Sequence, residues 1–214
     1  PKIYPDYCHS LSPTISKWVP LRVQDIHSLS THGMTGTELM YYKNHPIKWI
    51  RITGVIVAVD DFSSRRIYTV DDSSGACIEC ACPAPPPIPL VPLNYLTGAP
   101  QLTTPPTTMP QPAYPPSTEK PSVADGLDVG MVVKIKGKPN VFRDMKQIAI
   151  IKAEIILGTE VEVRCWNEVM SWRTGILSSP WEVSAEQEER FRRKAERPKK
   201  METGKQRKKR KYAE

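Results

Sequence analysis

No apolar run in this sequence approaches the roughly 18–20 residues that a membrane-crossing helix needs, and its start carries nothing like a secretory signal. Also missing are a P-loop, a GxSxG elbow, an HExxH helix and a dinucleotide fingerprint. Phosphate cradling, serine acyl transfer, zinc proteolysis and nicotinamide chemistry therefore have no motif to rest on. Cysteine is sparse and odd in number, with five residues at 8, 77, 80, 82 and 165. That scatter suggests no disulfide framework and fits a reduced setting inside a cell. Cys77-Ile-Glu-Cys80-Ala-Cys82 is the one cluster with the look of a metal site. In a strand Cys80 and Cys82 share a face and Cys77 takes the other, so three thiolates cannot converge without a bend. No second pair stands at zinc-ribbon spacing, and the four histidines are far off in sequence. Small cysteines buried in a strand are the better reading, and no metal or cofactor is expected. Asp71-Asp72 follows a strand and has the residue types of a magnesium site. The Ser-Ser-Gly after it makes it a hairpin turn in which aspartate bonds its own backbone. No catalytic residue emerges, and the chain is expected not to be an enzyme.

Positive charge is short too, outside one region. The net charge is +7, yet residues 185–214 hold 13 of the 30 Lys+Arg and only 6 of the 23 Asp+Glu. The rest of the chain balances at 17 against 17. A domain that gripped nucleic acid mainly through phosphates would itself be basic. This one must bind modestly, by stacking, or with help from a partner. The chain opens on Pro1 rather than methionine, which fits a segment of a longer protein.

What is present is a set of β-branched runs. In residues 47–59, Ile50 and Ile52 share one face before Gly54, and Val55, Val57 and Val59 take the opposite parity after it. A strand that changes its buried face at a glycine suggests a bulge, and small closed barrels need such a bend in their first strand. Residues 66–81 read as strand, polar turn ending at Gly75, strand. Residues 131–138 alternate, with Met131, Val133 and Ile135 on one face, and 148–157 are apolar apart from Lys152 and Glu154. Five strands in a meander, the first one bulged, fit an OB-fold barrel better than a sandwich of about seven. The expected class is an all-β core with appended helices: a five-stranded OB-fold barrel with a long proline-rich insertion and a C-terminal helix.

Residues 1–46 read as an extension packed on the barrel, because Tyr4, Tyr7, Trp18, Leu21, Ile26 and Leu29 are too apolar to hang free. A short helix is expected near 23–30. Barrel strands one to three occupy 47–82, and strands four and five occupy 127–157. Between them, 83–126 is a proline-rich insertion; residues 83–121 hold 14 of the 22 prolines, so neither helix nor central strand can run there. It reads as a disordered spacer. Residues 158–184 form a helix over 159–173 and an exit turn. Thr159 can cap that helix, Glu160 and Glu162 suit its positive end, and Arg173 suits the other. Val163, Trp166, Val169, Met170 and Arg173 fall on one face, a candidate partner surface beside a barrel already sealed behind it. Residues 185–214 form a charged helix that passes into the basic run 205–211, a pattern of nuclear localisation signals and nucleic-acid-attracting tails.

OB barrels receive single strands over strands two and three, flanked by the one–two and four–five loops. The candidate DNA-binding residues are Arg65 and Arg66 beside Tyr68, the outward Lys134, Lys136 and Lys138, and Phe142, Arg143 and Lys146 near the four–five loop. Taken singly, each lysine is as well explained as the wet face of a strand. Together with two aromatics they make a site, since a stacked base contributes about 1–3 kcal/mol without dense charge.

Several blocks carry a resemblance. They are Tyr4-Pro5, Tyr7-Cys8, Leu11-Ser-Pro-Thr14, Trp18-Val-Pro-Leu21 and Asp25-Ile26; Trp49 to Val57; Tyr68-Thr-Val-Asp-Asp-Ser-Ser-Gly75; and Trp166-Asn-Glu with Leu177-Ser-Ser-Pro-Trp181. Together they resemble the N-terminal OB domain of the Stn-one family, the middle subunit of the telomere-capping CST complex. The Val-Asp-Asp-Ser-Ser-Gly turn also resembles the middle subunit of replication protein A, whereas the N-terminal block and the Ser-Pro-Trp exit are more specific. The resemblance implies a heterodimer with the small OB-fold subunit Ten-one, joined largely through the helix after the barrel. It also implies a larger CST subunit, binding of single-stranded telomeric DNA, restraint of telomerase and links to DNA polymerase α–primase, in the nucleus at telomeres and not on a membrane. That family's C-terminal winged-helix part has no counterpart here, and the long insertion departs from its compact pattern. Two rivals stand beside it: a replication-protein-A-like middle subunit for general single-strand binding, and the accessory barrel of a nucleic-acid enzyme such as a synthetase.

Overall fold

The computed structural model describes residues 1–31, 39–84 and 126–196. The expectations for the body of the proline-rich insertion and for the basic run 205–211 lie outside the described residues. In chain order the elements are a 3-10 helix at Asp6–Leu11, β1 Trp18–Pro20, α1 Val23–His27, β2 Ser30–Thr31, β3 Met40–Tyr42 and β4 His45–Ile47. The barrel strands follow as β5 Trp49–Asp61, β6 Arg65–Asp71, β7 Cys77–Pro83, β8 Val132–Phe142 and β9 Met145–Ile155, and then α2 Thr159–Thr174 and α3 Ala185–Glu196.

The sheet runs β1-β5-β6-β7-β9-β8 and closes because β8 also pairs with β5. β7 and β9 pair parallel, and the other barrel neighbours pair antiparallel. This is the expected five-stranded OB barrel. Its core is filled by alternate residues, with Ile50, Ile52 and Ile56 from β5, Tyr68 and Val70 from β6, Ile78, Cys80 and Cys82 from β7, Val133 and Ile135 from β8, and Ile148 and Ile150 from β9. Each aliphatic side chain wholly buried contributes roughly 1.5–3 kcal/mol.

The first strand bends, but not where its glycine suggested. Ile50, Ile52, Gly54 and Ile56 stay on the inner face, Val57 points out, and the register against β6 shifts between Ile56 and Ala58. Gly54 serves a close approach instead: a Cβ there would lie 2.3 Å from the carbonyl oxygen of Asp71. Ile47 belongs to β4, ahead of the barrel. A second bulge lies in β9, where Lys136 pairs with Lys152 and Gly137 with Ile150, leaving Ile151 unopposed. β8 and β9 run several residues further toward each other than their apolar runs implied. The connection between them is only Arg143 and Asp144, both with positive φ (50° and 63°), the backbone of a two-residue hairpin turn. Glycine or asparagine usually marks such a turn, and neither is present to announce it.

The N-terminal extension lies on the barrel. Val19, Leu21, Val23, Ile26 and Leu29 join the main core. Tyr4 and Cys8 pack with Trp181 of the exit turn in a second small cluster. Helix α1 is capped by a distant hairpin: Asp72 Oδ2 accepts from the Val23 amide at 2.8 Å and Ser74 Oγ from the Gln24 amide at 3.1 Å. Within that hairpin Asp71 and Asp72 accept from the amides of Ser73 and Ser74, at 2.7 and 3.0 Å. The β3–β4 turn makes a further tie. Asn44 Nδ2 donates to the carbonyls of Lys2 (2.9 Å) and Trp181 (2.7 Å), and its Oδ1 accepts from the Trp181 amide at 2.8 Å.

Candidate partner and nucleic-acid interfaces

Helix α2 starts from Gly158, with Glu160 and Glu162 in its first turn and Arg173 in its last. Thr159 is its first helical residue rather than its cap. Cys165 is buried beneath it, Trp172 packs on the main core, and Glu168 pairs with Arg51 of β5. Those contacts settle which face turns outward. Val163, Trp166 and Met170, at i, i+3 and i+7, are 40%, 45% and 51% exposed. Val169 is half-buried. With Trp166 and Met170 it walls an open groove of about 340 Å³, closed on the other side by Leu21, Arg22 and the turn at 72–74.

Arg173 does not share that outward face. Its guanidinium turns to Asp25 of α1, with Nε 3.5 Å from the carboxylate that also takes Arg22 through two 3.0 Å hydrogen bonds. An arginine one helical turn beyond Met170 should extend the surface by periodicity, but the nearly buried Asp25 carboxylate draws it inward, because a buried charge must be paired.

The predicted nucleic-acid residues separate into three groups. At the barrel rim the one–two and four–five loops meet: the Arg65 guanidinium lies 4.2 Å from the Phe142 ring centre and 5.8 Å from that of Phe62, and Arg143 lies 5.2 Å from Phe142. Phe62, 52% exposed, was missed; its only signal was an aromatic in a polar loop. Arg66, beside them, donates to both carboxylate oxygens of Asp61 through Nε and Nη2.

The second group is Lys134, Lys136 and Lys138, in the outward positions of β8. That strand borders β5 and β9, away from β6 and β7. Glu154 collects Lys152 at 2.6 Å, Lys134 at 3.8 Å and Lys136 at 4.0 Å. The Lys152 ammonium, aided by Lys136 and Lys134, holds the Glu154 carboxyl below its ordinary pKa.

Two residues of the third group are corrections. Tyr68 is wholly buried in the barrel core and offers no face to a base. It sits at an inward position of β6, paired with the equally buried Cys80 of β7. Lys146 donates to the carbonyls of His27 and Leu29, each at 2.5 Å, so it ties the end of α1 to the barrel; burial pushes its pKa down. Among the cysteines, Cys80 and Cys82 point inward and Cys77 is exposed. No cluster of three or more His, Cys, Asp or Glu side chains suited to a metal ion occurs among the described residues.

Residues 3–85 match the family model described as telomere regulation protein Stn1. Protein stn1 of Schizosaccharomyces pombe is 38% identical over 63 residues, which are 29% of this chain and 19% of that protein. The CST complex subunit STN1 of Bos taurus is 32% identical over 78 residues, 36% of this chain and 20% of that protein. The matched part thus spans about a fifth of either relative's length. Among solved structures, the yeast Stn1 and Ten1 crystal structure gives a TM-score of 0.62 at 20% identity, covering 89% of this chain and 90% of the matched one. The S. pombe Stn1–Ten1 complex gives 0.53 at 20% identity, covering 76% and 96%. A replication protein A heterotrimer bound to single-stranded DNA gives 0.52 at 9% identity, covering 75% and 98%. These likenesses share the OB fold with this chain. By sequence, residues 3–85 are similar to the Stn1 telomere-regulation family, and the solved structures add the OB fold alone.

Proposed function

We propose that this chain is a non-enzymatic telomere-capping subunit that pairs through α2 with a small OB-fold partner of the Ten1 kind. In this reading it binds single-stranded telomeric DNA and protects chromosome ends in the nucleus, as part of an assembly that includes a larger CST subunit. Restraint of telomerase and a link to DNA polymerase α–primase belong to the same reading. One observation carries it: α2 is anchored on the barrel by its inner face, yet its outer face presents Trp166 and Met170, about half exposed, beside an apolar groove. Large aromatic and thioether side chains at a groove are the residue types that anchor a docked partner. The sequence match to Stn1 supports a Ten1-like partner, since the S. pombe Stn1 chain was solved in complex with Ten1. Binding of DNA rests on the fold and on the cationic and aromatic rim of Phe62, Arg65, Phe142 and Arg143.

The test is light scattering on this chain co-expressed with a Ten1-type protein. A one-to-one complex is expected. Met170→Ala and Trp166→Ala should weaken it by at least 2 kcal/mol, about 30-fold in Kd, the range of an interface hot spot. The melting temperature of the free chain should hardly move. Separate monomers would refute the pairing, and variants that unfold the free chain would return α2 to a purely internal role. Replication protein A is the rival, and its chain matches the fold at 9% identity without the family match. Equal affinity for telomeric-repeat and mixed-sequence single strands would favour that rival.

A further inference from the structure

An OB barrel is expected to hold a single strand across its second and third strands. Here the outward residues of β6 and β7 include the pairs Thr69–Glu79 and Asp71–Cys77, and no lysine or arginine among them lies beyond the rim. Cations stand elsewhere. In β8, Val133, Ile135, Gly137 and Pro139 are buried, so Lys134, Lys136, Lys138, Asn140 and Phe142 form one outward row. Successive members of such a row are about 6.6 Å apart, a repeat close to that of phosphates along an extended single strand. The row ends at the stack of Arg65 and Arg143 on Phe142. On one flank β9 adds Lys152, so that the single carboxylate of Glu154 faces three ammonium groups, two of them at the long distances of 3.8 and 4.0 Å. Ammonium groups held that loosely can turn to a phosphate. On the other flank β5 sets Arg51, whose charge is already taken by Glu168 of α2, opposite Lys136. The next outward position past the Ile50–Gly137 pair is Trp49, half-buried, its ring centre 5.3 Å from that of Trp18.

We infer that single-stranded nucleic acid runs lengthwise along β8, with phosphates over Lys134, Lys136 and Lys138 and bases stacked on Phe142 at the rim and on Trp49 beside the row. The inference rests on the single-strand reading above and replaces a path across β6–β7 with one along the opposite wall of the barrel. It explains how a barrel with balanced charge can bind a polyanion: three of its lysines stand in one line.

The experiment is fluorescence anisotropy of an oligodeoxythymidine of about 16 nucleotides across a salt series, with this chain alone and with its partner. The triple variant Lys134→Gln, Lys136→Gln, Lys138→Gln should lower the slope of log K against log salt by about 2, at about 0.7 per phosphate contact, and weaken binding about 100-fold at 0.1 M salt. Glu154→Gln removes the competing carboxylate and should tighten binding about fivefold, a gain that misfolding cannot mimic. Thr69→Glu with Ala81→Glu should change affinity by less than about threefold. A lysine variant that binds like the parent, or a loss of binding confined to the β6–β7 variant, would overturn the path along β8. A parent chain that binds no oligonucleotide with or without its partner would overturn the single-strand reading itself.

Discussion

Replacing Asn44 by alanine should loosen both ends of the described chain at once. The Asn44 side chain is 2% exposed and makes three hydrogen bonds, two of them to the backbone amide and carbonyl of Trp181 and one to the carbonyl of Lys2. Lys2 is exposed, so its carbonyl can turn to water. Trp181 is buried, and its two backbone groups would be left without partners. Each unmet buried polar group costs about 1–3 kcal/mol, so Asn44→Ala should lose about 3 kcal/mol. For a fold of this size that is a fall of about 6–12 °C in melting temperature. Asn44→Asp keeps the shape and the acceptor for the Trp181 amide, but replaces two donated hydrogen bonds with an oxygen facing two carbonyls. The new carboxyl escapes charge repulsion by keeping its proton, so its folded pKa lies above the unfolded value of about 3.9. A group whose pKa is raised on folding favours the folded state at low pH, and that benefit fades as pH rises. Asn44→Asp should therefore melt nearest the parent at pH 4 and fall away toward pH 7, measured as the difference between the two proteins in calorimetry. An alanine variant melting within about 2 °C of the parent, or an aspartate gap that ignores pH, would refute the clamp.

Two further predictions concern titratable groups. Burial, with the Lys43 ammonium nearby, pushes the His45 imidazole below its ordinary 6.5, against the smaller opposing pull of its hydrogen bond to the Ser179 carbonyl. The fold thus holds neutral histidine, and stability should be full above about pH 6.5 and decline as the unfolded chain takes up a proton below it. Urea midpoints at pH 7.5 and 5.5 measure this; His45→Gln should shrink the difference, and an unchanged difference would refute it. For the thiols, burial pushes Cys8 and Cys80 up, and Cys82 and Cys165 are buried as well. A thiol reagent should meet one fast cysteine in the native protein, Cys77, and all five after unfolding. Two or more fast thiols would contradict the packing.

The barrel was legible because its signals are local and repeated. β-branched alternation in β5, β6 and β8 is enforced by burial, and the Asp-Asp-Ser-Ser-Gly turn by side-chain bonds to its own backbone. The outward face of α2 was legible for the same reason, since Val163, Trp166 and Met170 keep helical spacing. Arg173 was misplaced because its direction is set by Asp25, a partner 148 positions away in sequence that no periodicity reports. Tyr68 was misplaced because a tyrosine beside two arginines has the composition of a stacking site, while strand parity, the stronger constraint, sends it inward. Lys146 and Asn44 were opaque for a related reason: their bonds run to backbone carbonyls, and any residue supplies a carbonyl. The β8–β9 turn was hidden because Arg143 and Asp144 adopt positive φ without the glycine that usually advertises it.

The tie at the β3–β4 turn bears on how α2 would meet a partner. Lys43 donates to the carbonyls of Leu177 and Ser178, just past the end of α2, while Arg51 holds Glu168 in its middle and Asp25 holds Arg173 in its last turn. The helix is therefore preorganised, and association does not have to order it. Only the exposed rotamers of Trp166 and Met170 remain to be fixed, at about 0.5–1.5 kcal/mol each. Encounter should then proceed as rigid docking, and differences among partner variants should fall mainly in the rate of dissociation.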